Sequence, residues 1–215
     1  CTNDELLENN ENETGKEKLK QSYISVKLVN PAASSRAFAD GNQAEMTVDR
    51  ARFYLFNSDG SAYAIADNTT NVNFVDADAD DLTPNYTATG NDETLCSAVL
   101  VINKSTKQPP TSIVAVLNYP IGEGGECVWG DEPMSLDNLK AEAYNHGTIK
   151  SGVSPYNTEG NFVMTNSVYV DGTNTVMEAT PIAPENICSS PGTDDDGALD
   201  HPVVIHVERI AAKVQ

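Results

Sequence analysis

Alternation of apolar and polar positions dominates the chain. In SYISVKLVNP, residues 22–31, Ile24, Val26 and Leu28 fall on one face and Ser25 and Lys27 on the other, the period-2 pattern of a half-buried strand. Asn30 and Pro31 end that pattern, because Pro cannot donate to a ladder and Asn favours turns. Residues 48–56, VDRARFYLF, are dense in aromatic and apolar side chains. Asn57-Ser58-Asp59-Gly60 then predicts a tight turn, with a returning strand over 62–66. The polar stretch 67–94 contains one short strand candidate, 72–75. Residues 95–102 (LCSAVLVI) and 113–117 (IVAVL) are apolar on both faces and predict central strands. Short strands are expected over 162–165 and 167–170, and an exposed Pro- and Asp-rich loop over 180–202.

The final segment, 202–214, changes phase. Val203, Ile205 and Val207 share one face, whereas Ile210, Ala212 and Val214 lie on the other. A bulge near Glu208 and Arg209, or a strand passing from one domain to another, would account for it. One helix is predicted, over 135–144. Ser135 is its N-cap, Asp137 lies in its first turn, and Met134 and Leu139 occupy staple positions. Leu136, Leu139 and Ala143 form its apolar stripe, and Gly147 is placed to stop it. The pattern as a whole predicts a mainly all-β protein, a sandwich with one short helix.

Charge narrows the partners. Against 13 Lys and Arg stand 32 Asp and Glu in 215 residues, a formal net charge of −19. So acidic a surface disfavours nucleic acid and anionic membrane. Residues 1–21 are polar, rich in Asn and Glu, and predict a solvated tether. A chain beginning at Cys1 has the form of a processed lipoprotein, with Cys1 as the lipid-bearing residue. After the first strand, AASSRA (residues 32–37) is small and polar around one Arg, the kind of exposed segment where proteolysis concentrates.

Cys96, Cys127 and Cys188 allow at most one intramolecular disulfide, from three possible pairs. Cys127 and Cys188 lie in loop-like sequence, which favours their pairing and leaves Cys96 as a buried thiol within a strand. The acidic run with Asp76, Asp78, Asp80 and Asp81 begins like a calcium loop. It then fails, with Asp81 at the sixth position and Thr87 at the twelfth, and reads as a solvated loop. No nucleophile elbow, phosphate loop, dinucleotide fingerprint or zinc-protease motif occurs. His146, His201 and His206 are read as surface or helix-end residues, and Trp129 as a loop-packing anchor. No enzymatic activity and no cofactor is expected.

Several segments, in order, resemble the N-terminal half of Mfa/FimA-type fimbrillins, the subunits of type V pili. They are the Cys1 tether, SYISVKLVNP with SSRAF after it, MTVDRARFYLFNSDG, SIVAVLNYP, FVMTNS and HVERIAAKV. The resemblance implies a transthyretin-like Greek-key β-sandwich, exported as an outer-membrane lipoprotein and cut by an Arg-specific protease, here between Arg36 and Ala37. It divides the chain into a tether (1–21), a propeptide strand with its cleavage linker (22–36), and an N-terminal domain (37–215), the family's second domain being expected either to have been excised or to be lacking in a short subunit. Removal of the strand bearing Tyr23, Ile24, Val26 and Leu28 would open a groove for a donor strand from a neighbouring subunit. Uncovering three apolar side chains at ~1.5–3 kcal/mol each gives an upper figure of roughly 5–9 kcal/mol for refilling it. The implied partners are other fimbrial subunits, the lipoprotein export machinery, the protease, and a host or bacterial surface receptor. Two alternatives are a tip or accessory adhesin and a glycan-binding surface lipoprotein. The latter requires an intact Arg36–Ala37 bond and an exposed aromatic platform.

Overall fold

A computed structural model of the chain describes residues 20–31, 47–65, 72–84, 92–104, 108–122, 124–147, 161–166, 168–171, 174–193 and 197–210. The first strand, β1, spans Lys20–Pro31, so it starts two residues inside the stretch expected to be tether. It is followed by β2 (Arg50–Phe56), β3 (Phe74–Asp78), β4 (Thr83–Pro84), β5 (Asp92–Lys104) and β6 (Ser112–Leu117). Helix α1 (Leu136–Gly147) precedes β7 (Met164–Asn166), the hairpin of β8 (Val168–Asp171) and β9 (Asn174–Met177), β10 (Thr180–Pro181) and β11 (Val203–Arg209). The all-β expectation with one helix holds.

The strands run in the order β3-β2-β6-β7-β11-β1-β5-β4, with β10 on β6 and the β8–β9 hairpin apart. Strand β11 is the corner. Its first half pairs in parallel with β1 (Val26 to Val203 through Val29 to His206), and its second half pairs antiparallel with β7 (Val207 to Asn166 through Arg209 to Met164). This explains the phase change. Val203, Ile205 and Val207 enter the core shared with β1, β2, β5 and β6, whereas Ile210 joins a second core on the far side of β2 and β6. Among the described residues the segment is one strand with two successive partners in a single connected sheet, with no second domain entered.

The second core accounts for the two-sided strands. Ala51, Phe53 and Leu55 of β2 and Ile113, Ala115 and Leu117 of β6 face the main core. Tyr54, Phe56, Val114 and Val116 face Leu139 and Ala143 of α1 together with Cys127 and Trp129. Ser135 caps the helix as expected, its hydroxyl accepting from the Asn138 N–H at 3.3 Å. The Leu136 N–H donates to the Gly60 carbonyl at 2.9 Å, so the turn after β2 also fixes the start of the helix. That turn puts Gly60 at φ +77°, where a side chain would be strained.

Four local expectations need correction. The return after Gly60 is a single bridge, Phe56 to Ala62, and not a strand. Tyr63 and Ile65 drop into the main core, and β3 takes the place beside β2. The strand expected at 72–75 is shifted to Phe74–Asp78, which draws Asp76 out of the acidic loop and into the sheet. Strand β5 is buried on one face only: Cys96, Ala98, Leu100 and Ile102 point inward, and Val101 is exposed. Leu95 is an extra residue in β5, since Leu28 pairs with Cys96 and Val29 with Thr94, and this bulge buries Leu95 and Cys96 together. Finally, the stretch expected to be an exposed loop is partly interior, because Ile182, Ile187, Cys188 and Ala198 are buried.

Candidate functional site: the first strand and its groove

Strand β1 is inserted between two partners. Along one edge it is antiparallel to β5 from Lys20–Lys104 to Pro31–Asp92. Along the other edge, Val26 to Val29 pair with β11, and further back Tyr23 forms a bridge with Cys188. The Tyr23 N–H donates to the Cys188 carbonyl at 2.8 Å, and the Cys188 N–H donates to the Tyr23 carbonyl at 2.9 Å. Ile24, Val26 and Leu28 are each 0% exposed and belong to the main core, as their alternation predicts. Lys27 is exposed and Tyr23 half-buried on the outer face. Ser25, on that same outer face, is only 2% exposed.

The stretch expected to be an exposed loop meets β1 at two places, the Tyr23–Cys188 bridge and the turn that follows. A turn of 3-10 helix, Ala198–Asp200, packs against β1, and Ala198 is fully buried. A second such turn, Pro184–Asn186, leads into Ile187 and Cys188. Its Asn186 ties the segment together: the Oδ1 accepts from the Ala183 N–H at 2.8 Å and the Nδ2 donates to the His201 carbonyl at 3.0 Å.

Cys96, Cys127 and Cys188 are separate thiols, so the expected Cys127–Cys188 pairing is not made. The two belong to different surroundings. Cys127 packs in the second core beside Trp129, while Cys188 lies at the edge of β1 with its Sγ 3.4 Å from the Glu185 carbonyl oxygen. Cys96 is the buried strand thiol that was expected, and burial pushes its pKa up to about 12. Cys1, Arg36 and Ala37 lie outside the described residues. His201 follows the Ala198–Asp200 turn, His206 is exposed on β11, and His146 is in α1.

A polar cluster on β2 had no counterpart in the sequence reading. Arg52 is 3% exposed. Its Nε and Nη2 donate to the two carboxylate oxygens of Asp76 at 2.6 and 2.8 Å, Nη2 also reaches Asp131 at 2.7 Å, and Nη1 donates to the Gly130 carbonyl at 2.8 Å. The guanidinium lies 3.8 Å from the centre of the Phe74 ring. Burial alone would lower its pKa, but the hydrogen bonds to Asp76 and Asp131 overcome this and raise it. Arg52 thus fastens the 119–131 loop and β3 to β2. A charge in the middle of RARFYLF was the available signal, since a buried Arg requires partners.

Asn118 is a second buried fastener, at φ +54°. Its Oδ1 accepts from the Asp49 N–H at 3.0 Å, and its Nδ2 donates to the Thr47 and Phe162 carbonyls at 2.8 and 3.0 Å. Trp129 is 7% exposed and packed in the second core, so it offers no stacking platform. A concavity of about 340 Å³ lies where β3 faces β5, lined by Val75, Ala77, Ala98, Leu100, Val101 and Leu199, and holds none of the predicted site residues. No helix among the described residues is long and apolar enough to cross a membrane.

No protein-family model matches the chain, and no curated protein matches it. Among solved structures it is similar to one described as a fimbrial assembly protein from Parabacteroides distasonis, with a TM-score of 0.42 and 14% identity. The match covers 88% of this chain and 54% of that one, so the chain spans about half the length of that structure.

Proposed function

We propose that the chain is a structural subunit of a bacterial surface fimbria whose first strand is a removable plug. The carrying observation is the position of β1, held between β5 and β11 with Ile24, Val26 and Leu28 wholly buried. In this reading the subunit is exported as a lipoprotein on Cys1 and cleaved between Arg36 and Ala37. It then polymerises when a neighbour's strand fills the space that β1 leaves. The residue resemblance to fimbrillins supports this sequence of events. So does the topology: β1 contributes a full interior strand, yet only the chain from residue 32 onward connects it covalently to β2. Its departure leaves two open ladder edges and three empty apolar positions, a strong drive toward strand addition.

The glycan-binding alternative loses its main support with the burial of Trp129. The test is limited trypsin digestion of the folded chain, followed by intact mass and strand release. The reading expects early cuts at the lysines of the tether and after Arg36, and a 37–215 product that exchanges its first strand for another. Resistance at Arg36, or a cut product that keeps β1 against all competitors, rejects it.

A further inference from the structure

We infer that the groove selects its incoming strand by size at the Ser25 position: the replacing strand must carry a residue no larger than serine between its first two apolar anchors. This rests on the strand-exchange reading above and adds a specificity rule to it. The outer face of a sheet normally tolerates any side chain, as exposed Lys27 illustrates two residues further on. At Ser25 the room is missing: the side chain is 2% exposed, on a strand against which the Ala198–Asp200 turn, itself buried at Ala198, is packed.

The turn is anchored within its own segment, which also pairs with β1 through Cys188 and Tyr23. The Ala198 N–H donates to the Ser190 carbonyl at 2.9 Å, the Leu199 N–H to the Gly192 carbonyl at 3.1 Å, and the His201 N–H to the Ala198 carbonyl at 3.2 Å. Asn186 adds its bond to the His201 carbonyl. The turn therefore belongs to the acceptor, and these bonds do not run through β1. A larger side chain at the Ser25 level must lift either the lid or the strand, and overpacking a closed site of this kind is destabilising.

The same lid fixes register. In the native pairing Ile24, Ser25 and Val26 stand opposite Leu100, Val99 and Ala98. A slip by one residue would put an apolar anchor beneath the turn and a polar residue into the core, so both faces reject it.

The test uses the full folded chain, cut with an Arg-specific protease in the presence of excess labelled synthetic peptide corresponding to residues 21–31, which contains no Arg. Peptides with the native sequence, Ser25→Ala, Ser25→Leu and Lys27→Leu are compared for incorporation. The expected result is comparable uptake of native, Ser25→Ala and Lys27→Leu peptides, with Ser25→Leu lower by on the order of tenfold or more. Equal uptake of Ser25→Leu and Lys27→Leu overturns the size rule while leaving strand exchange intact. Failure of every peptide, native included, overturns strand exchange and the rule with it. In the uncut chain, Ser25→Leu should lower the urea midpoint and Lys27→Leu should not. Equal midpoints also overturn the rule.

Discussion

Truncating Leu28 to Ala removes a side chain that is 0% exposed, pairs with Cys96 on one side and Ile205 on the other, and faces the main core. Its strand is held on both edges, so neighbouring backbone has little freedom to close the cavity. The expected cost is about 3 kcal/mol, within the ~2–5 kcal/mol range for such truncations. With a urea dependence of about 2 kcal/mol per molar, the unfolding midpoint should fall by about 1.5 M. Lys27→Ala, one residue away but exposed, should stay within about 0.5 kcal/mol of the parent. Ile24 lies about 13 Å from Leu28 along the strand, so the two truncations should add to about 6 kcal/mol. That is comparable with the ~5–15 kcal/mol total of an ordinary domain. The double variant should therefore release β1 under native conditions and open Cys96 and Cys188, which flank it, to a thiol reagent. Curves for Leu28→Ala and Lys27→Ala that superimpose would refute the view of β1 as an interior plug.

Other consequences concern the two fasteners and the buried ring hydroxyl. Arg52→Met should lower stability by roughly 2 kcal/mol, below the usual cost of breaking a buried pair because Asp76 and Asp131 are partly exposed, and limited proteolysis should then cut the 119–131 loop first. At Asn118 the backbone and side-chain contributions separate: Asn118→Gly forfeits three hydrogen bonds, and Asn118→Ala adds about 1–2 kcal/mol of strain at φ +54°, so Ala should have the lower urea midpoint. The Tyr54 hydroxyl is buried beside Arg52 without a well-formed hydrogen bond, and burial raises its pKa to about 12 although the polar contact with Arg52 and its charge oppose this. A raised folded-state value means the native form holds its proton longer than the unfolded chain. The contribution is complete below about pH 10 and is lost as pH rises towards about 12. Tyr54→Phe should keep its stability at pH 7 and lose less of it between pH 10 and 12 than the parent, measured by urea midpoints at each pH.

Legibility in the sequence followed the strength of local pattern. The alternation of Ile24, Val26 and Leu28 was sufficient to identify the inward face of β1, and the two-sided apolarity of residues 113–117 was sufficient for the centre of the sheet. Ser135 and the Leu139–Ala143 stripe likewise identified α1, which runs three residues beyond its expected end. What escaped was non-local. Ser25 looks like any solvent-facing strand residue, yet it is buried on a strand against which a turn 170 or so positions later packs. Cys188 reads as a loop cysteine because nothing in its neighbourhood reveals that its backbone edges Tyr23. Asp76 looked solvated because its partner Arg52 is 24 residues away on the adjoining strand. In each case local chemistry permitted two environments, and strand pairing decided between them.

The central claim is that β1 is an exchangeable plug, and thiol accessibility during cleavage tests it most directly. An Arg-specific protease is added to the folded chain while Cys96 and Cys188 are followed by alkylation and intact mass, with and without excess peptide of the β1 sequence. The account predicts that both thiols stay protected before the cut, become reactive after cleavage at Arg36 as β1 leaves, and are protected again when peptide fills the groove. Thiols equally reactive before and after cleavage, or protected throughout with β1 still bound, would contradict it.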